Sequence, residues 1–153
     1  MKLAGALLLA LLAAPGCGDA ADPQRAAEAR STARWELASA YRAAHDARDI
    51  DAALRLVCLD GSDTTTRDWL AKSFRDDFEK EIVSVALVPL RGDEKLESVL
   101  AGVRVVPNLR VEKRLRVDFE ARDESGRATR SFTEYFVGSR SGRAMIASTR
   151  NAR

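Results

Sequence analysis

The chain has 153 residues, 46% of them hydrophobic and 31% charged, with 25 Lys/Arg against 23 Asp/Glu for a net charge of +2. That length and balance exclude a disordered chain and a multi-span membrane protein, and they fit one domain behind a short leader. Residues 101–153 carry 12 Lys/Arg against 6 Asp/Glu, but acids are scattered among the arginines, so the excess reads as a solvated face and nucleic acid is not an expected partner.

Lys2 precedes a run of Leu, Ala and Gly from Leu3 to Ala14, the charged start and apolar core of a secretory signal. Crossing a bilayer takes about 20 apolar residues, so the run is too short to serve as an anchor. Pro15-Gly16 ends it, and Cys17 follows. The phrase AAPGC resembles the lipobox of bacterial lipoproteins, with Ala14 and Pro15 as departures from its usual residues. The resemblance implies that residues 1–16 are a signal peptide and that Cys17 becomes an acylated N-terminus carrying palmitate-type chains. Two or three chains hold a protein stably on a membrane where one does not. Gly18 after the cysteine implies the outer membrane, facing the periplasm, by the sorting habit of that family. Cleavage after Ala20 is the alternative; it discards Cys17 and releases a soluble periplasmic protein. Residues 17–24 then read as lipidated terminus and linker, and 25–153 as the domain.

From about Pro23 to Asp46 the apolar spacing of Trp35, Leu37, Ala38, Tyr41 and Ala44 predicts a long helix. Asp49 caps a short second helix with Ala53, Leu54, Val57 and Cys58 on one face and Gly61 at its end. Thr66 is the expected cap of a third, whose Trp69, Leu70, Ser73, Phe74 and Phe78 share a side. Trp35, Trp69, Phe74 and Phe78 are expected in the core between helices and sheet, with a ligand pocket between them as the alternative. Three helices are thus expected before any strand.

Ile82 to Pro89 reads as a β-strand ended by proline, followed by a polar crossing, RGDEKLESVLAG. A long strand then bends at Pro107, and along it Leu115, Val117, Phe119 and Ala121 alternate with Arg114, Arg116, Asp118 and Glu120, one face buried and the other wet. Turns at DESG and SRSG make the last three strands an antiparallel meander. The expected class is α+β, N-terminal helices packed on a bent antiparallel sheet. On this element order, on "AYRAAHDARDIDAALRLVCLDG" and on the meander, the chain resembles the nuclear transport factor 2-like (SnoaL-like, ketosteroid isomerase-like) cone, related in shape to the cystatin-like fold. That fold carries enzymes, ligand binders and assembly modules alike.

Enzymes of that family move a proton inside the cone with a carboxylate or a His–Asp pair, often with a tyrosine. Three residues here are candidates: Tyr41 and His45, at i and i+4 on the first helix, and Glu134 in SFTEYF. Glu134 faces inward if Phe132 and Phe136 do; the opposite register buries Thr133, Tyr135 and Val137 instead. His45 fits a surface or capping role better than catalysis. Cys58 is expected to be a small buried hydrophobe without a disulfide partner. One histidine, no cysteine pair, no Gly-rich phosphate loop and no serine elbow leave no metal or cofactor expected. The expected activity is therefore non-catalytic: binding an envelope protein or a small apolar ligand, with the membrane engaged through Cys17 and a homodimer conceivable through the charged sheet face. A small isomerase or dehydratase is the alternative.

Overall fold

The computed structural model describes residues 23–100, 102–122 and 125–152; the signal sequence, Cys17 and the linker up to Asp22 lie outside the described residues. Three helices and eight strands are arranged as a mixed α+β fold.

Helix α1 (Pro23–Asp46) buries Leu37, Tyr41, Ala44 and His45 along one stripe. It ends where Arg48 takes φ 52°, with Arg48 N–H donating to the His45 carbonyl and Asp49 N–H to that of Ala44 at 2.9 Å each. This pair of bonds closes the last turn in the manner usually assigned to glycine. Asp49 at once caps α2 (Ile50–Leu54), accepting from Ala52 N–H at 2.8 Å. Helix α3 (Thr64–Phe78) follows, capped by Asp63, whose carboxylate accepts from Thr66 N–H at 2.7 Å. That bond is the main reason the Asp63 carboxyl is held below its ordinary range.

The larger sheet has the order β1-β7-β6-β5-β2, formed by β1 (Val57–Cys58), β2 (Glu81–Pro89), β5 (Val111–Arg122), β6 (Ala128–Arg140) and β7 (Arg143–Ala147). All its pairings are antiparallel except β1 with β7. A three-stranded sheet, β3-β4-β8, is formed by β3 (Ser98–Leu100), β4 (Val103–Pro107) and β8 (Thr149–Asn151). The helices cover one face of the large sheet, where Tyr41, Phe74, Leu115, Val117, Phe119 and Ile146 are fully buried. Each such side chain stabilises the fold by roughly 1.5–3 kcal/mol.

The chain passes between the sheets three times, through residues 90–97, through Asn108–Arg110 and through Ser148. Asn108 ties the last two crossings: its Nδ2 donates to the carbonyls of Cys58 (2.7 Å) and Asp60 (3.0 Å), and its Oδ1 accepts from Ser148 N–H at 3.0 Å. Next to this junction Gly138 lies so close to Arg110 and Leu109 that a Cβ there would meet the Leu109 Cβ at 2.9 Å. The β6–β7 turn, Ser141-Gly142, has φ of 49° and 77°, the two-residue hairpin geometry that suits strand twist.

Several expectations are corrected. Val57 and Cys58 belong to a strand, so three helices do not all precede the first strand, and α2 stops at Leu54 rather than Gly61. The cap of α3 is Asp63, with Thr66 as the residue it holds. The polar crossing contains β3, and the strand bent at Pro107 is two strands in two sheets, as is the final one around Ser148. Trp35 and Trp69 are 76% and 57% exposed, outside the core that Phe74 and Phe78 do enter. The side chains that α1 and α3 send into the core are Leu37, Tyr41, Leu70 and Phe74 instead.

Candidate functional site

The register of β6 is the one that buries Tyr135 and Val137, so Glu134 projects to the opposite face from the helices. Tyr41 stands among Phe74, Phe78 and Tyr135, its ring centroid 5.9 Å from that of Tyr135. Its hydroxyl is buried and has no hydrogen-bond partner among the described residues. Beside it Asp77 accepts from the Tyr135 hydroxyl at 2.9 Å, Thr133 at 3.2 Å and Lys80 Nζ at 2.8 Å. Burial first, and the nearby Asp77 carboxylate with it, pushes both tyrosines well above their ordinary value. Asp77 was missed in the sequence. Its signal is spacing, since 70, 74, 77 and 78 share one helical face and a carboxylate there must find donors.

His45 is buried, contrary to the expected surface position. Its Nε2 lies 3.0 Å from the Lys80 carbonyl and its Nδ1 3.4 Å from Asp46, while its ring stands 5.0 Å from Phe78 and 6.1 Å from Phe119. It fastens the end of α1 to the α3–β2 turn.

Glu134 is the centre of an ionic network on the other face. Arg91 Nη2 donates to both its oxygens at 3.0 Å, Arg114 Nη1 to Oε2 at 2.6 Å, and Arg116 Nη1 lies 3.6 Å from Oε1. Arg114 is only 7% exposed, because the segment after β2 folds over it and the Pro89 carbonyl accepts from its Nη2 at 2.9 Å. The face expected to be wet is therefore partly covered, and no alternation in sequence distinguishes Arg114 from Arg116. Arg116 in turn bonds Asp118, which with Ser84 holds that carboxyl below its ordinary range. Acid, histidine and tyrosine candidates are thus not brought together: Tyr41 and His45 belong to the helix-covered face and Glu134 to the other.

A cleft of about 290 Å³ opens where β7 leaves β6. One wall is the first half of α3 with Thr66, Trp69 and Leu70, the other is the small sheet with Leu100 and Val105, and Glu134, Tyr135 and Phe136 form the floor. Its lining is mainly apolar, and exposed Trp69 and Leu100 stand on opposite walls. Of the four aromatic residues expected in the core or around a pocket, only Trp69 lines this cleft.

Cys58 is buried and free, with Arg140 Nη1 3.4 Å from its Sγ. Among the described residues no cluster of His, Cys, Asp and Glu is placed to hold a metal ion, and no helix is long and apolar enough to cross a membrane. Neither a protein-family model nor a curated protein matches the chain.

Proposed function

We propose that the chain is an exported lipoprotein, held at the outer membrane by acyl chains on Cys17, whose nuclear transport factor 2-like domain is a non-catalytic binding or assembly module. The observation that carries the binding role is the apolar cleft between α3, the small sheet and β6, with Trp69 on its wall. Clefts of this size and lining take apolar ligands or apolar side chains of a partner. The isomerase alternative asks for Tyr41 with His45 or with Glu134; Glu134 stands on the other face of the sheet, while His45 meets the Lys80 carbonyl and Tyr41 is enclosed by Phe74, Phe78 and Tyr135.

The test uses acyl-free protein from Gly18 onward and the apolar fluorophore phenylnaphthylamine. Saturable binding that Trp69→Ala removes and Trp35→Ala leaves in place is the expected result; binding indifferent to both substitutions contradicts the cleft as the site. For the anchor, Cys17→Ala is expected to leave the precursor unprocessed or to release the protein from the membrane fraction, and unchanged fractionation contradicts lipidation.

A further inference from the structure

β7 pairs with β6 only from Val137 to Arg140, and β6 reaches back to Ala128 with β5 as its one described neighbour there. Alternation from the two-residue Ser141-Gly142 turn sets the side to which each residue directs its backbone. Arg140 and Gly138 exchange bonds with β7, and beyond its last pair Glu134, Phe132 and Arg130 direct N–H and C=O to the same side, where no described strand meets them. The charge of Glu134 is taken on the face of the sheet by Arg91 and Arg114, so what this residue turns to the edge is backbone. Proline and bulges, the usual blocks to an added strand, are absent from Arg130 to Phe136.

This edge runs out of the cleft. Where β7 turns off at Ala147 into Ser148 and Thr149, the line it was following along β6 continues between α3 and the small sheet. We infer that the cleft takes an extended peptide segment of a partner protein, which pairs antiparallel with Glu134, Phe132 and Arg130 as a further strand on the line of β7. The inference deepens the binding reading by naming its ligand class, and it rests on that reading. A row of backbone donors and acceptors between apolar walls selects a strand over a lipid chain or a compact apolar molecule, which covers the row and leaves it unpaired. Side chains of an added strand alternate between the faces of the sheet as those of β6 do. The segment residue opposite Glu134 falls on the side of Leu100 and Phe136, and its two neighbours on the side of Trp69 and Leu70, so the segment is apolar on both faces there. Beyond the cleft the Arg130 side chain is 81% exposed, with Glu120 no nearer than 3.9 Å, and its charge is complementary to an acidic residue on the segment. The ligand class is therefore an extended segment with three successive apolar residues and an acid three positions after the last of them.

Disulfide trapping on the full chain in native membranes tests this with the end-blocked peptide Val-Leu-Val-Cys-Thr-Glu-Gly, whose cysteine falls opposite residue 132. Phe132→Cys is expected to be labelled saturably under mild oxidation, since directly paired residues lie within the Cα separation a disulfide spans. Val99→Cys, exposed on β3 away from this edge, is expected to be labelled several-fold less. N-methylation of the peptide's leucine, whose N–H donates to the Glu134 carbonyl, is expected to cut labelling several-fold, while N-methylation of the valine after it, whose N–H points away from β6, leaves labelling in place. Adding Arg130→Glu to Phe132→Cys is expected to weaken labelling several-fold, and lysine in place of the peptide's glutamate to restore it. Equal labelling at the two cysteine positions, indifference to leucine N-methylation, or Phe132→Cys protein that crosslinks to itself in preference to the peptide overturns the proposal. Absence of peptide labelling while phenylnaphthylamine still binds through Trp69 refutes the peptide segment and leaves the binding reading standing; loss of both contradicts that reading itself.

Discussion

The two faces of the β5–β6 hairpin are built from adjacent residues of the same strands and do opposite things. On one, Leu115, Val117, Phe119, Tyr135 and Val137 close against α1 and α3 around a single buried carboxylate, Asp77, whose bonds are all internal. On the other, Arg114, Arg116 and Glu134 make an ionic lattice that ends at an open strand edge and an apolar cleft. The difference teaches where the proposed binding role has room: Asp77, Tyr135 and His45 are bonded inside the fold, whereas the apolar cleft with exposed Trp69 opens on the other side.

Substitutions of like residues on the two sides sharpen that contrast. Phe74→Ala is expected to cost about 3–5 kcal/mol in denaturant unfolding, against a change within about 0.5 kcal/mol for Phe132→Ala. Asp77→Ala strands the Tyr135 hydroxyl and Lys80 and should cost about 3 kcal/mol, whereas Asp76→Ala next to it removes only an exposed contact with Lys72 and should cost about 0.5 kcal/mol or less. Gly138→Ala drives a methyl against Leu109 and Arg110 where the sheets meet, for about 1–3 kcal/mol. Should Phe132→Ala prove as costly as Phe74→Ala in a monomer, the division between a closed and an open side fails.

Alkaline titration addresses the closed side alone, because Tyr41 and Tyr135 are the chain's two tyrosines. Burial raises both above the ordinary value of 10.0. Their contribution to stability is therefore complete below pH 10 and is lost as pH rises beyond it, when the unfolded chain ionises and the folded one does not. Tyrosinate absorbance should appear together with loss of helical circular dichroism; titration near pH 10 with the helices intact contradicts the burial. Smallest in stability is Trp69→Ala, within about 0.5 kcal/mol, although it should abolish ligand binding.

Much of the fold was legible. Helix α1, the long β5–β6 hairpin and the Ser141-Gly142 turn follow from periodicity and turn chemistry, and α+β class follows from their order. The exchange of strands between two sheets was not legible, because it is made by Asn108 bonding to Cys58 and Asp60 some 50 residues away in sequence, which no local pattern encodes. The tryptophans misled for a different reason: Trp35 and Trp69 stand one or two positions from the buried Leu37 and Leu70, and hydrophobicity alone does not say which of such neighbours meets the sheet. Of the site, Glu134's face depended on register, and Arg114's burial on a segment folding over it. The open edge is legible in neither, since it exists only because β7 turns away at Ala147.

The proposed role of the Trp69 cleft as the binding surface is tested most directly by making Trp69 the sole tryptophan. In acyl-free Trp35→Phe protein, phenylnaphthylamine is expected to quench Trp69 emission by energy transfer that saturates with the same midpoint as probe binding. Quenching that rises linearly with probe, without saturation, contradicts the account.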